Sequence, residues 1–262
     1  MGGDPRYGRA ATRAQAPQRG RAAGSALTYP RAICFDAYDT LVTLDDPPGR
    51  LVDLLAQAGV MVDRDAAAAA FLAEVAYYRT HSLTAPDRTR LRLLRRSCAA
   101  ILGEELQRAC RHDLLLDDLE RLLLGSLHFH LLPAAAECLA SLTARGVKLA
   151  VVSNWDCSLV EVLEGLSIRR YFVHVAASAV VGAEKPDPRI WQEALAVLGT
   201  RPEETWHVGD EPEADLAGAL RCGLQPILVG DAAAPAGVPR LASLAELPSL
   251  LDGLVDGEVS DA

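Results

Sequence analysis

Between Pro133 and Val229, short aliphatic runs alternate with amphipathic stretches on connections of a few residues, and that alternation constrains the fold more than anything else in the chain. Pro133 fits the first turn of a helix that reaches Arg145 and is stopped by Gly146. The spacing then predicts strands over Val147 to Val152, Phe172 to Ala176, Thr205 to Val208 and Gln225 to Val229. Helices are expected between them over Ser158 to Gly165, Pro188 to Leu198 and Glu213 to Cys222. Strands joined through helices run parallel, and a parallel sheet needs both faces covered. An earlier apolar run, Arg31 to Asp36, adds one more strand. The fold class expected is α/β, with a doubly wound parallel sheet.

From about Gly49 to His130 the pattern changes. Arg50 to Ala58, Arg64 to Thr80, Asp87 to Leu102, Glu104 to Arg111 and Leu115 to Ser126 carry Leu or Ala at helical spacing, and no strand is evident among them. The expected organisation is a core of residues 29–46 and 131–250 interrupted by an all-helical insert at 47–130. Residues 1–28 hold five arginines against Asp4 and lack an apolar signal segment, which predicts a disordered basic tail. The last turn or two after Leu251 is expected to fray.

A net charge of −9 argues against a nucleic-acid footprint, which needs clustered excess Lys and Arg. No uncharged apolar stretch is long enough to cross a bilayer, so no membrane association is expected. The 6 cysteines form no C-x-x-C pair, which predicts reduced thiols, no zinc, and a cytoplasmic protein. Cys157 stands at a possible helix start that would lower its pKa; a buried, inert thiol is the alternative. Nothing in the pattern reads out an oligomeric state.

Polar residues sit where the strands end, which is where open parallel sheets bind ligands. Asp36 follows Ala32-Ile33-Cys34-Phe35 and leads into a turn ending at Thr40. It is a candidate nucleophile or metal ligand, or a cap for the turn. Ser153-Asn154 follows the next strand and can donate to anionic oxygens, or cap a helix. Lys185, within Gly182-Ala183-Glu184-Lys185-Pro186-Asp187-Pro188, is a cation on a stiff loop; isolated, it would read as a solvated surface lysine. Asp210 ends a further strand, with Asp215 five residues later at a helix start. Those carboxylates suit Mg²⁺ together with Asp36, or favour a helix dipole.

Four such signals in this order resemble the haloacid dehalogenase-like hydrolase superfamily over about residues 30 to 230. The resemblance implies a Rossmann-like core, with the helical insert as a cap of the kind found after the first motif in dehalogenases and many small-molecule phosphatases. It further implies that Asp36 forms a covalent aspartyl ester, that Ser153 contacts the transferred group, that Lys185 is the stabilising cation and that Asp210 binds Mg²⁺.

Tyr38 departs from the phosphatase pattern of that superfamily, Asp-x-Asp-x-Thr, whose second Asp moves the proton. A phenol is a poor base at neutral pH, and the missing transfer is worth about 10²- to 10⁴-fold in rate. The backbone carbonyl of residue 38 can still ligate Mg²⁺. Asp39, Asp156 and Glu211 are candidates to replace the proton carrier. The 2-haloacid dehalogenases carry a Tyr at this place but a Ser-Ser-Asn fourth motif and a cap arginine, for which Arg64 is near the right distance. Tyr77, Tyr78 and His81 of the insert are candidates to face a substrate, with Trp155 as pocket wall.

The leading expectation is therefore a Mg²⁺-dependent hydrolase of a small phosphorylated molecule. Asp36 and Lys185 would be catalytic, Thr40, Ser153 and Asn154 would bind the phosphoryl group, and Asp36, Tyr38, Asp210 and Asp215 would hold the metal. A 2-haloacid dehalogenase, or a catalytically weak protein that binds a phospho-ligand or a partner in the same cleft, are the alternatives.

Overall fold

Ala32, Ile33, Cys34 and Phe35 expose no surface, as a strand must when it has neighbours on both edges and layers on both faces. The computed structural model, which describes residues 27–111 and 113–259, makes this run β1 (Ala32–Phe35). After it come β2 (Val42–Leu44) and four helices, α1 (Pro47–Gln57), α2 (Arg64–His81), α3 (Arg88–Ala109) and α4 (Leu116–Ser126). Next are β3 (Phe129–Leu131), α5 (Ala135–Ala144), β4 (Lys148–Ser153), α6 (Leu159–Gly165), β5 (Phe172–Ala177), α7 (Ser178–Val181) and α8 (Arg189–Leu198). The chain continues through β6 (Thr205–Gly209), α9 (Gly218–Arg221), β7 (Gln225–Val229), β8 (Arg240–Leu241) and α10 (Leu247–Val259).

Six strands form one parallel sheet in the order β5-β4-β1-β6-β7-β8. The alternation of side chains along β1 divides the core in two. Ile33 and Phe35 pack with Leu149, Val151, Trp206 and Val208 on one face, while Ala32 and Cys34 pack with Trp191 and Ile190 of α8 on the other. Because Cys34 is sealed in that second layer, burial pushes its thiol up to about 12.

The insert has its own apolar core, in which Leu51 and Leu55 of α1, Phe71 of α2, Leu94 and Leu102 of α3 and Leu123 of α4 meet. Three aspartates start its helices. Asp46, Asp63 and Asp87 each accept from backbone N–H groups of the first turn they precede.

Several expectations about element boundaries need correction. The segments expected as separate helices at 87–102 and 104–111 are one helix, α3. Gly103 does not break it: a Cβ there would lie 2.5 Å from Leu119 Cδ1, so the glycine permits the close approach of α4. Two short strands went unread. β2 and β3 pair antiparallel, with Val42 opposite Leu131 and Leu44 opposite Phe129, and form a ribbon at the base of the insert. Pro133 precedes α5 rather than opening it, because Ala134 takes a left-handed turn at φ 62. The helix expected over 213–222 is a π-helical turn, Pro212–Ala217, followed by the short α9. β8 was not expected, and α10 runs over Leu247–Val259. The expected basic tail lies almost wholly outside the described residues. Among the described residues no helix is long and apolar enough to cross a membrane.

Candidate active site

β1, β4 and β6 run parallel side by side, so their C-terminal ends open onto one edge of the sheet. Asp36 leaves β1 with its N–H still bonded to Val208 O at 2.9 Å, which keeps the residue in line with the sheet. The turn behind it is tight: Leu41 and Val42 both donate to Ala37 O, and Asp39 sits at φ 54 with its Oδ1 accepting from Thr43 Oγ1 at 2.7 Å.

Lys185 reaches into this edge. Its Nζ lies 2.5 Å from Asp36 Oδ1 and 2.6 Å from Asp215 Oδ1, and its side chain is 3% exposed. Asn154 fixes the lysine backbone from both sides, accepting from Lys185 N at 2.7 Å and donating to Lys185 O at 3.1 Å. Asp215 takes a second donor on Oδ1, from His207. His207 Nδ1 accepts from the Trp191 indole at 3.2 Å, which leaves Nε2 to donate to Asp215 Oδ1 at 2.9 Å. Glu211 N donates to the other oxygen at 3.0 Å. This packing requires Gly209, whose Cβ position is 2.3 Å from Asp215 Cγ. Thr40 donates to Asp210 Oδ1 at 3.3 Å, and the Ser153 hydroxyl favours the ionised form of Asp36.

Charge at this edge is unevenly compensated. Burial raises the pKa of Asp36 and Asp215 adds to the rise, while Lys185 opposes it. Burial would raise Asp215 also, but Lys185 and then His207 hold it well below the usual carboxylate range. Burial alone would lower Lys185; Asp36 and Asp215 instead hold it above an ordinary lysine. Asp210 has no ion-pair partner among the described residues. Burial, then repulsion from Asp36 and Asp215, pushes it up to about 7. Oxygens of Asp36, Asp210 and Asp215 lie within 4.8 Å of one another, and one lysine does not balance three carboxylates. A set of hard oxygen donors with an excess of negative charge fits a hard divalent cation.

Above the edge lies a cavity of about 730 Å³ between the core and the insert, lined by Asp36, Ser153, Lys185 and Asp210 from the core. Tyr38, Trp155 and Phe129 form an aromatic wall, with ring centroids of Tyr38 and Phe129 at 6.4 and 5.4 Å from Trp155. Tyr38 is half-buried there, and burial, followed by Asp39, raises its phenol. Tyr78 of α2 donates to Asp156 Oδ2 at 2.9 Å, so the insert is hydrogen-bonded directly to the loop after β4.

Asp36, Tyr38, Ser153, Asn154, Lys185 and Asp210 thus come together around one cavity, with Thr40 and Asp215 buried behind them. Asn154 has both ends of its amide on the Lys185 backbone, and both Asp215 oxygens already accept bonds from protein groups. Asp39, Asp156 and Glu211 all line the cavity. Other candidates are displaced from it. Arg64 is exposed and paired with Asp46 at 2.6 Å, and Tyr77 stacks on His81 at 4.0 Å rather than facing the cavity. The Cys157 thiol is raised, by burial and then by Asp156, not lowered. Two participants escaped the sequence reading. His207 lies inside a strand, where a lone histidine reads as core. Glu74 occupies the apolar stripe Ala67-Ala70-Phe71-Glu74 of α2, and a charge at such a position is the signal that could have found it.

A haloacid dehalogenase-like hydrolase family model matches residues 30–223, and the chain belongs to that family of hydrolases. Among its relatives, the haloacid dehalogenase-like hydrolase domain-containing protein 3 of Bos taurus is 38% identical over 131 residues, 48% of this chain and 52% of that protein. A phosphoserine phosphatase of Thermus thermophilus is 38% identical over 102 residues, 38% of this chain and 41% of the relative. The chain thus aligns with about half or less of the length of these curated relatives. An L-2-haloacid dehalogenase structure from Xanthobacter autotrophicus shares the fold at TM-score 0.61 and 20% identity, over 86% of this chain and 99% of that one.

Proposed function

We propose that the chain is a Mg²⁺-dependent phosphatase of a small phosphorylated molecule, working through an aspartyl-phosphate on Asp36. The observation that carries this reading is Asp210, a carboxylate set against Asp36 with no cation of its own among the described residues. Asp36, Asp210 and the carbonyl of Tyr38 would hold Mg²⁺, with Asp215 a weaker candidate because its oxygens are engaged. When bound, the ion supplies neutralising charge for the phosphoryl oxygens and the carboxylates.

Asp36 attacks phosphorus through a carboxylate oxygen, the bond from phosphorus to the substrate oxygen breaks, and the departing oxygen takes its proton from solvent water, which Tyr38 does not replace. Lys185 keeps Asp36 ionised and oriented, and Asn154 keeps Lys185 in place. Ser153, which lines the cavity, donates to a phosphoryl oxygen, and Thr40 holds Asp210 from behind. Water then cleaves the aspartyl-phosphate, releasing phosphate and restoring Asp36. The insert at 47–130 acts as the cap over the core of 29–46 and 131–250.

A panel of phosphate esters and 2-haloacids, run with and without Mg²⁺, tests this. Phosphate release that needs Mg²⁺ and is lost in Asp36→Asn is the expected result. No turnover across the esters, or unchanged turnover in Asp36→Asn, overturns it. Tyr38, together with Arg79 and Arg95 on the cavity wall, favours a second reading as a 2-haloacid dehalogenase. That reading requires halide release that persists in EDTA.

A further inference from the structure

α2 buries one carboxylate that the proposed chemistry does not use. Glu74 is 6% exposed and lines the same cavity as Asp36, Ser153 and Lys185. Among the described residues no Lys, Arg or His pairs with it; the polar group that lowers its pKa is the thiol of Cys98 on α3, a weak donor. Arg79, which is exposed, and Arg95, which is half-buried, line the cavity too, and neither is ion-paired with Glu74. A carboxylate taken out of water without a cation is costly, and burial raises its pKa accordingly. A cationic group that enters the cavity removes that cost.

The position of Glu74 sets the shape of such a ligand. Tyr78 lies four residues on, on the same helix face, and is hydrogen-bonded to Asp156 at the core. Glu74 is therefore ~6 Å along the axis of α2 from Tyr78. Phe71, Val75, Leu124 and Leu127 provide apolar wall in the same cavity. One end of the space thus offers Lys185 and Ser153 to an anion, and the insert side offers a carboxylate with no ion pair among the described residues.

We infer that Glu74 is a specificity residue, and that it receives the ammonium group of a phosphorylated primary amine whose phosphate sits at Lys185 and Ser153. The phosphate end rests on the phosphatase reading above; the ammonium end rests on Glu74 alone. An ammonium supplies both the missing charge and up to three donors, which a hydroxyl does not.

Calorimetric titration of the full chain in Mg²⁺ buffer with O-phosphoethanolamine and with propyl phosphate compares two ligands that differ by ammonium against methyl. The wild type should bind phosphoethanolamine about tenfold or more tightly, the value of one charged hydrogen bond. In Glu74→Gln, which keeps the shape of the side chain, the ratio should fall close to one. A single melting transition no lower than that of the wild type confirms that the variant folds. Equal affinity for the two ligands in the wild type, binding of neither, or a preference that survives in Glu74→Gln overturns the inference. Phosphate release is scored separately: discrimination at Glu74 without any release overturns the phosphatase reading and keeps the ammonium site.

Discussion

Tyr38 is the residue whose replacement should change the chemistry most. It lines the cavity next to Asp36 but offers a phenol held above its ordinary pKa, so it neither gives nor takes a proton readily near neutrality. Tyr38→Asp should raise kcat on alkyl phosphates, whose leaving oxygen needs protonation, by about 10²- to 10⁴-fold, and much less on aryl phosphates. Steady-state rates on an alkyl and an aryl ester check this. Glu74 makes a prediction about stability. Its folded-state pKa is raised, so between the unfolded value and the folded one the unfolded chain has fewer protons bound, and stability falls as pH rises. Glu74→Gln removes that loss. The variant should match the wild type at acidic pH, below the unfolded carboxyl value, and exceed it by about 1 to 3 kcal/mol near neutrality. Denaturant melts at both pH values would show the divergence.

Within the insert, the contact between α3 and α4 depends on Gly103. Because a Cβ would meet Leu119 at 2.5 Å, Gly103→Val should force the helices apart and destabilise the protein by about 1 to 3 kcal/mol. A thermal melt measures it, and Leu119→Ala in the same chain should restore part of the loss. This glycine also shows why helix boundaries were hard to read. In one dimension it resembles a stop signal, and only the neighbouring helix explains its presence inside α3. The strands β2 and β3 were missed for a related reason. Three residues each are too few for a periodic pattern, and their pairing joins segments separated by the whole insert. The aspartates before α1, α2 and α3 act only on their own first turns, so they are the kind of signal a sequence carries locally.

The insert and the core meet through the Tyr78 bond to Asp156, the Cys157 N–H to Ala85 O at 3.1 Å, and the ion pair of Arg88 with Glu161. Tyr78→Phe leaves one buried Asp156 oxygen short of a donor and should cost about 1 to 3 kcal/mol. Hydrogen exchange should quicken at the Cys157 amide while the amides of β1 keep their protection. Equal acceleration at both would mean that insert and core open as one unit.

The succession of β1, β4, β5, β6 and β7, the presence of a helical insert, and the succession of Asp36, Ser153, Lys185 and Asp210 were legible along the chain. Each depends on short-range periodicity or on chemistry at a strand end, which neighbours in sequence decide. Charge compensation was not legible. That Asp36 meets Lys185 across 149 positions, that Asp215 is held by Lys185 and His207, and that Asp210 and Glu74 have no cation depend on distances set by the folded sheet and the insert. A carboxylate's role depends on what lies within a few ångströms of it, and that is a property of three-dimensional packing.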